Sequence, residues 1–406
     1  MNIPKLRFKD NNGNDYPQWE KVNLSDICSF LQGLTYTPND VSNTGILVLR
    51  SSNIQNDKIS YLDNVFVNIN IPDNLFVKEN DILMCVRNGS KSLVGKNALI
   101  TPKDLGNTWG AFMMIVRNKL SNKYVYYYLN TNIFNKHIFK DLGTATINQI
   151  TKKMLQSFKI YLPQITEQKK ISNFLTTVDK KITNLENTIT SLENQKKGLL
   201  QQIFSQKLRF KDENGNNYPN WEKKKLGDIG SFSRGGNLSK SDLSKKGTSC
   251  ILYGELYTYY NEFATEIKSK TLNTTNLVLS KKYDVLLPLS GETAEDISTC
   301  TCIFFDDIAL GSDLLIFRSS FFDGRFMSLL LKYKYKYKIA QIAQGKSIVH
   351  ISEKNIKNIN IKIPCIEEQQ KIADFILIFT KKLENQKAQL EHWQQIKKGL
   401  LQQMFI

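Results

Sequence analysis

The chain contains an internal repeat whose two copies begin almost identically. Residues 5–27 return as residues 207–229, and 17 of the 23 aligned positions are identical. A second block, residues 163–204, returns as residues 364–405. A chain of this kind is expected to build the same framework twice.

Between these framing blocks the two copies share almost no sequence. We call residues 30–142 the first insert and residues 232–344 the second insert. Two similar frames that hold two different inserts predict one molecule that presents two distinct recognition surfaces. The length of 406 residues is enough for two to four domains, each with its own core.

The charge of the chain indicates a polyanionic partner. Lysine and arginine number 55 against 38 aspartate and glutamate residues, which gives a formal net charge of +17. Basic side chains release counterions from phosphates, so nucleic acid is the partner that such an excess favours. A surface that is merely rich in lysine is the alternative that charge alone leaves open.

The cysteines, the histidines and the N-terminus give no sign of a metal site or of export. The cysteines form no Cys-x-x-Cys pair and the three histidines are scattered, so no zinc site is predicted. Cys300 and Cys302 alternate in a strand-like run, which predicts one buried and one exposed thiol. The N-terminus lacks the apolar segment of a secretion signal, and no apolar run approaches the ~18 residues of a membrane span. A reducing, cytoplasmic location is predicted.

Residues 167–204 and 367–404 are predicted to form long helices. Apolar residues alternate by four and three in both, which is the a/d pattern of a coiled-coil seam. Each helix would be roughly 55–60 Å long at 1.5 Å per residue. Pairing of the two copies is favoured over packing of each on its own domain, because neither globular half needs so long a seam. With Lys196 as a polar interruption, the predicted seam comprises Ile171, Leu175, Val178, Ile182, Leu185, Ile189, Leu192, Ile372, Ile376, Phe379, Leu383, Leu390, Trp393 and Leu400.

Both inserts are predicted to be mixed α/β. Short apolar runs bounded by Gly, Asn and Ser predict strands at residues 45–50, 81–86, 111–116, 283–287 and 314–317. Each insert ends in a stretch that favours helix, residues 124–142 and 326–344. Residues 332–338 alternate Lys and Tyr and are also compatible with an edge strand. Helix is favoured there because this segment aligns with residues 124–129.

The repeat predicts a fourfold division of the chain. The fold class is α/β (mixed α+β), with two globular domains and a pseudo-twofold internal repeat. The predicted segments are a first recognition domain (1–162), a first heptad helix (163–206), a second recognition domain (207–363) and a second heptad helix (364–406).

Three sequence patterns that occur twice in this order carry a resemblance to a known family. Each domain opens with Trp-Glu followed by Leu and Asp-Ile, at Trp19 and again at Trp221. Each closes with a glycine and, several residues later, Ile-Thr or Ile-Ser, and each helix follows a proline and Glu-Gln. The closing patterns begin at Gly143 and Gly345, and the Glu-Gln pairs are Glu167-Gln168 and Glu368-Gln369. Together these patterns resemble the specificity subunit of type I restriction–modification systems, over essentially the whole chain.

The resemblance implies two target-recognition domains, each of which reads half of a bipartite site in double-stranded DNA. It implies that the two helices form an antiparallel coiled coil, which spaces the domains and docks two modification subunits. Restriction subunits complete such complexes. Catalysis and its cofactors, S-adenosylmethionine for adenine methylation and ATP with Mg²⁺ for restriction, then belong to those partners. No catalytic residue, metal ligand or cofactor is expected in this chain.

Two other classes of function are kept as alternatives. A cytosolic coiled-coil adaptor would bind proteins through its globular ends, and its binding would be insensitive to salt. A free-standing methyltransferase or nuclease would bind a cofactor or a metal ion. The sequence contains no Asn/Asp-Pro-Pro-aromatic tetrapeptide and no glycine-rich cofactor loop after a strand, which disfavours the enzyme.

Candidate DNA contacts are sought in loops rich in Arg, Lys, Asn, Ser and Thr, because these side chains bind base edges and phosphates. Trp109, beside one such loop, is expected to be packed in the core rather than stacked on a base. For each loop residue a solvated turn is the alternative. The candidates in the first insert are Arg50, Asn53, Arg87, Asn88, Ser90, Lys91, Lys96 and Asn107. Those in the second insert are Arg234, Asn237, Lys240, Ser290, Glu292 and Thr293.

Overall fold

The computed structural model describes residues 3–120, 122–142, 148–345 and 348–406. The chain divides into two compact units. Unit 1 contains Met1–Glu186 and Ala388–Ile406, and unit 2 contains Asn187–Lys387. Each unit holds one insert, its frame, and a part of both long helices. Gly143, which belongs to the family pattern, lies outside the described residues.

Unit 1 is built around an antiparallel sheet. Its strands are β1 (Glu20–Asn23), β2 (Cys28–Gln32), β3 (Val41–Ser42), β4 (Ile46–Leu49), β5 (Ile54–Gln55), β6 (Lys58–Ile59), β7 (Phe66–Val67), β8 (Ile82–Cys85), β9 (Asn97–Leu99), β10 (Thr108–Trp109), β11 (Met113–Asn118) and β12 (Lys159–Leu162). Its helices are α1 (Leu24–Ile27), α2 (Tyr124–Leu129), α3 (Asn132–Leu142), α4 (Lys152–Ser157) and the first part of α5 (Ile165–Phe204).

The central sheet of unit 1 has the order β2-β11-β8-β9 and is covered on both faces. Met84 and Met114 point into a cluster that contains Trp19 of the frame. The alternate residues of the same strands, such as Leu83 and Ile115, pack with residues of the insert in a second cluster. Burial on both faces explains why β8 and β11 are continuous apolar runs rather than alternating ones.

Unit 2 repeats this plan. Its strands are β13 (Glu222–Lys225), β14 (Ser231–Arg234), β15 (Leu243–Ser244), β16 (Thr248–Ile251), β17 (Phe263–Ala264), β18 (Ser269–Thr271), β19 (Val278–Leu279), β20 (Val285–Pro288), β21 (Ser290–Gly291), β22 (Thr301–Ile303), β23 (Ala309–Leu310), β24 (Leu314–Arg318), β25 (Val349–His350) and β26 (Asn360–Ile363). Its helices are α6 (Glu255–Thr258), α7 (Ala294–Ile297), α8 (Gly324–Tyr333), α9 (Lys336–Gln341), α10 (Glu353–Lys357) and most of α11 (Ile366–Gln403).

The central sheet of unit 2, in the order β14-β24-β20-β22-β17, is also buried on both faces. The expectation that only one of Cys300 and Cys302 is buried is therefore wrong, since both are fully buried. Both thiols join the same cluster, where burial raises the pKa of Cys300 to about 12. These cysteines are core residues with little thiolate character near neutral pH.

The predicted strands and helices of the inserts are confirmed. The five predicted strands correspond to β4, β8, β11, β20 and β24. The predicted helical stretches cover α2, α3 and α9 and all but the first two residues of α8. The Lys-Tyr segment 332–338 is helical rather than an edge strand, with a break after Tyr333. Its period-two pattern is misleading because the buried residues of α8 come mostly before it, in residues 324–331.

An ion pair between a half-buried arginine and a buried glutamate closes the frame of each unit in the same way. In unit 1, Arg7 donates to both carboxylate oxygens of Glu167 at 2.8 and 2.9 Å, and the Trp19 indole donates to the same carboxylate at 3.1 Å. In unit 2, Glu368 accepts from Arg209 and Trp221 in the same geometry. Each cluster ties the start of a copy to the start of its long helix. This explains why these residues recur in both copies.

The two long helices run antiparallel within each unit. In unit 1, the start of α5 packs with the end of α11, where Ile171 and Leu175 share a cluster with Leu401. In unit 2, the end of α5 packs with the start of α11, where Ile203 shares a cluster with Ile372.

Most predicted seam residues are buried. All seven on α5 and three on α11 (Ile372, Ile376 and Leu383) are buried, whereas Phe379, Leu390, Trp393 and Leu400 are half-buried.

The seam contains a lysine at equivalent positions in the two units, half-buried Lys397 and buried Lys196, and each is neutralised differently. In unit 1, Lys397 of α11 forms an ion pair with Asp179 of α5 at 2.8 Å. In unit 2, Lys196 of α5 forms an ion pair with Glu262, a residue of the second insert. The helix position equivalent to Asp179 is Thr380 (offset 201), and its hydroxyl donates to Glu262 at 3.2 Å. Only in unit 2 does the insert supply the counter-ion.

Candidate DNA interface

Unit 1 contains an open cleft of about 1160 Å³ between the start of β11 and three loops. The loops that follow β2, β4 and β8 form its walls. They bring together Arg50, Arg87 and Asn88 from the sequence-predicted set. The cleft therefore combines side chains from predicted loops that are well separated along the chain.

Arg87 stands at this cleft without a carboxylate partner among the described residues. Its guanidinium carbon lies 5.0 Å from the ring centroid of Phe112, a cation–π contact. The backbone fixes this arrangement, because the Phe112 carbonyl accepts from the amides of Val86 and Arg87 at 3.0 and 3.2 Å. Arg87 and Phe112 thus lie side by side, just beyond the paired strands β8 and β11, and both are exposed.

The other cleft candidates differ in availability. Arg50 is half-buried and donates to Asp63 at 3.0 Å. Asn53 is fully buried, and its side chain holds the Arg50 loop by bonds to the Arg50 amide and the Ser60 carbonyl. Asn88 donates to Ser51 at 3.2 Å. Arg50 and Asn88 reach the cleft wall, whereas Asn53 supports the loop from within.

Of the remaining candidates in the first insert, Ser90 and Lys91 are exposed. Lys96 is half-buried, and Asn107 is half-buried with its amide donating to the Asp104 carbonyl at 2.8 Å. None of these four residues lines the unit 1 cleft. Trp109 is fully buried and donates to the Leu31 carbonyl at 3.2 Å, which confirms that it is a packing residue.

Unit 2 has a smaller cleft, of about 310 Å³, at the same place in its fold. Arg234 and Ser290 from the predicted set line it, together with Asp313 and His350. The buried Ser290 hydroxyl donates to Asp313 at 3.0 Å and lies 2.9 Å from Nδ1 of His350. This cleft presents a carboxylate where the other presents an aromatic ring.

The rest of the candidates in the second insert lie on exposed turns. Asn237, Lys240, Glu292 and Thr293 are exposed. The Thr293 side chain caps α7 by accepting from the Asp296 amide at 3.1 Å. This accounts structurally for Thr293, whereas Asn237, Lys240 and Glu292 have no side-chain hydrogen bond to the described part of the chain.

Backbone hydrogen bonds identify equivalent positions in the two clefts. The Val86 amide donates to the Phe112 carbonyl and the Val86 carbonyl accepts from Ile150. The Leu289 amide and carbonyl make the same two bonds, to Asp313 and Ile351. Val86 therefore corresponds to Leu289, and Phe112 corresponds to Asp313. Arg87 directly follows Val86 and Ser290 directly follows Leu289, so these two residues correspond as well.

Sequence reasoning missed Phe112, Asp313 and His350. The alignment of the two copies could have found Phe112 and Asp313. They are 201 residues apart, which is the offset of the repeat, and each lies at or beside the start of a predicted strand. A position where the two copies align but hold different side chains is a better indicator of a recognition residue than loop composition is.

Metal-binding groups and membrane-spanning helices are both absent from the described part of the chain. Across residues 3–120, 122–142, 148–345 and 348–406, no group of three His, Cys, Asp or Glu side chains is placed to hold a metal ion. No helix in those ranges is long and apolar enough to cross a membrane.

Comparison with known proteins identifies the family. A model of the type I restriction modification DNA specificity domain matches residues 16–194 and again residues 218–392. The chain therefore belongs to the type I specificity-subunit family. It is the DNA specificity subunit of a type I restriction–modification system, with two specificity domains, and is not the catalytic component.

Relatives of this specificity subunit match over nearly the whole chain. The MjaVIII type I restriction enzyme specificity subunit of Methanocaldococcus jannaschii is 25% identical, over 97% of this chain and 94% of its own length. The StySPI specificity subunit of Salmonella potsdam is 22% identical, over 87% and 80%. The crystal structure of the S subunit from M. genitalium has a TM-score of 0.61 at 16% identity, and the match covers 100% of this specificity subunit and 99% of that chain. The last similarity shows that the fold is shared.

Proposed function

We propose that each unit reads one half of a bipartite DNA site through its cleft and the exposed turns around it. The observation that carries this proposal is that one backbone scaffold presents different side chains in the two clefts. The excess of positive charge supports a phosphate-bearing partner. Lys96 is proposed to contact the phosphate backbone of the DNA. The other proposed contacts are the exposed or cleft-lining candidates Arg50, Arg87, Asn88, Ser90, Lys91, Arg234, Asn237, Lys240, Ser290, Glu292 and Thr293. Asn53 and Asn107 are not proposed as contacts, because their side chains stabilise their own loops.

The assembly we propose follows the family pattern. Two modification subunits dock on the paired helices, which act as a coiled-coil spacer between the recognition domains 1–162 and 207–363. Restriction subunits join this core. S-adenosylmethionine, ATP and Mg²⁺ are then bound by those partners. The complex works in the cytoplasm, where its DNA target is.

Arg87 and Arg234 are expected to act differently from Lys96. A guanidinium can make a bidentate pair with the two major-groove acceptors of guanine. Arg87→Ala and Arg234→Ala should each cost about 1–3 kcal/mol of binding free energy and relax one base position. Lys96→Ala should weaken binding to all duplexes and reduce the salt slope by about one.

The measurement is affinity of the assembled complex for cognate and singly altered duplexes at two salt concentrations. A uniform loss on every duplex would reassign the arginines to the DNA backbone. Binding that does not respond to salt at all would favour the adaptor and contradict the proposed function.

Exchange of the first insert should change one half-site and leave the other intact. Residues 15–150, which contain the first insert and the frame residues on either side of it, would be replaced by the corresponding segment of another specificity subunit, and the complex would be purified with its modification subunit. Mapping of methylated genomic adenines then reveals both half-sites before and after the exchange. A change in both half-sites would refute the model of two independent readers.

A further inference from the structure

One position of the shared scaffold carries opposite chemistry in the two clefts. Phe112 and Asp313 accept the same backbone hydrogen bond at the start of equivalent strands, and Arg87 and Ser290 are their neighbours across the sheet. The first pair is a donor beside an apolar ring, and the second is a hydroxyl beside a carboxylate. The backbone hydrogen bonds are the same at both positions, but Asp313 has a positive φ and Phe112 does not, so the difference lies in the side chains and in the local backbone conformation.

In unit 1 Phe112 is 58% exposed, and the guanidinium carbon of Arg87 lies over its ring. A cation–π contact does not use the N–H donors of a guanidinium in hydrogen bonds to a carboxylate, so those donors stay available to a ligand. Arg87 has no carboxylate partner among the described residues to compete for those donors. The pair therefore offers a bidentate donor and, beside it, an apolar surface open to a ligand.

In unit 2 the Asp313 carboxylate is exposed and uses Oδ2 to accept from Ser290. Its Oδ1 accepts no hydrogen bond from any described residue, so this oxygen is available to a donor in the cleft. Asp313 has a φ of 59°, a left-handed conformation that aspartate tolerates better than most residues. Unit 2 therefore presents an acceptor at the position where unit 1 presents a donor and a ring.

We propose that Phe112 and Asp313 are specificity-determining residues, each reading one base through the major groove; this rests on the proposed function. Thymine is the base with a methyl group in that groove, and cytosine presents an amino donor there. Phe112 contacts a thymine methyl next to the guanine bound by Arg87. Asp313 accepts from the amino group of a cytosine. The two half-sites differ at this position because the ring and the carboxylate differ.

For Phe112 the test removes the methyl group from the DNA. Once the insert exchange has assigned the half-sites, each thymine of the first half-site is replaced in turn by deoxyuridine. The wild-type complex should lose about fourfold in affinity at one thymine, which is what burial of one methyl group contributes. Phe112→Ala should bind the thymine and deoxyuridine duplexes equally. Phe321→Ala, at a phenylalanine of unit 2 that is 71% exposed, should keep the wild-type difference.

For Asp313 the test removes the amino group. Each cytosine of the second half-site is replaced by the analogue that lacks its 4-amino group. The wild-type complex should lose about tenfold at one cytosine, and Asp313→Ala should show no difference there. Asp307→Ala is the matched control, because Asp307 is also exposed and has a φ of 60° but does not line the cleft.

The outcomes separate this inference from the proposed function. A wild-type complex that does not distinguish its mapped site from unrelated DNA would overturn the proposed function itself. A wild-type complex that is specific, with the same deoxyuridine penalty in Phe112→Ala, would overturn only the role of Phe112. A first half-site without thymine, or a second without cytosine, would overturn the corresponding assignment, as would an unchanged analogue penalty in Asp313→Ala.

Discussion

Leu185→Asp is expected to lower the free energy of unfolding of unit 1 by about 4–6 kcal/mol, from the lost apolar burial together with the cost of a carboxylate in an apolar seam. Leu185 is 4% exposed on α5 and belongs to the seam predicted from the heptads. Leu383→Asp should act in the same way on unit 2, since Leu383 is buried on α11. Urea unfolding followed by circular dichroism measures the loss, and hydrogen exchange locates it in one unit.

The matched control is Leu62→Asp, because Leu62 is 85% exposed in the same unit. Its effect should stay within about 0.5 kcal/mol. In Leu185→Asp, burial raises the pKa of the introduced carboxyl above its unfolded value, and the neutral acid is cheaper to bury. The deficit of Leu185→Asp should therefore shrink as the pH falls towards the unfolded pKa of aspartate and be largest at neutral pH. Equal effects of Leu62→Asp and Leu185→Asp would contradict the buried seam.

Glu262→Gln is expected to destabilise unit 2 by about 3–5 kcal/mol, because it leaves the buried Lys196 ammonium without its counter-ion. Glu262 also accepts from Tyr333 at 3.0 Å and from Thr380. Burial favours the neutral acid, but the charge and hydrogen bond of Lys196 outweigh it and hold the Glu262 pKa below its usual value. The stabilisation is then present above the unfolded pKa of glutamate and is lost as the pH falls through the lower, folded value.

A second substitution makes this prediction specific to the ion pair. Lys196→Met in the Glu262→Gln background should recover most of the stability, since an apolar replacement removes the uncompensated charge. Glu222→Gln breaks the exposed pair with Lys224 and should leave the stability nearly unchanged, because solvent screens such a pair. If the double variant is no more stable than Glu262→Gln alone, the cost does not come from the stranded lysine.

The framework could be predicted from the sequence because its residues occur in both copies of the repeat. Recurrence of Trp19 as Trp221 and of Glu167 as Glu368 marks residues that hold each frame, and heptad spacing predicted both long helices. The burial of both Cys300 and Cys302 could not be predicted, since a short alternating run does not tell whether a sheet is covered on one face or two. Nor did the heptads predict that Lys196 is neutralised by Glu262, because that acid lies far along the chain, in the insert.

The candidate site was predictable only in part. Loop composition led to Arg50, Arg87 and Arg234, which do line clefts, because polar loop residues at strand ends gather at one edge of a sheet. The same criterion selected Asn53, which is buried, since an amide that stabilises a turn has the same sequence signature as one that binds DNA. Phe112 was missed because an exposed aromatic beside a strand is indistinguishable from a core residue until the register is known.

The different sources of the counter-ion bear on which foreign inserts each frame can accept. Asp179 lies on a helix outside the first insert, so a recombination event that replaces that insert preserves its ion pair with Lys397. Glu262 lies inside the second insert, so an incoming segment without an acid at that place leaves Lys196 buried and unpaired. Selection should then tolerate a wider range of donor segments in the first half of the gene than in the second.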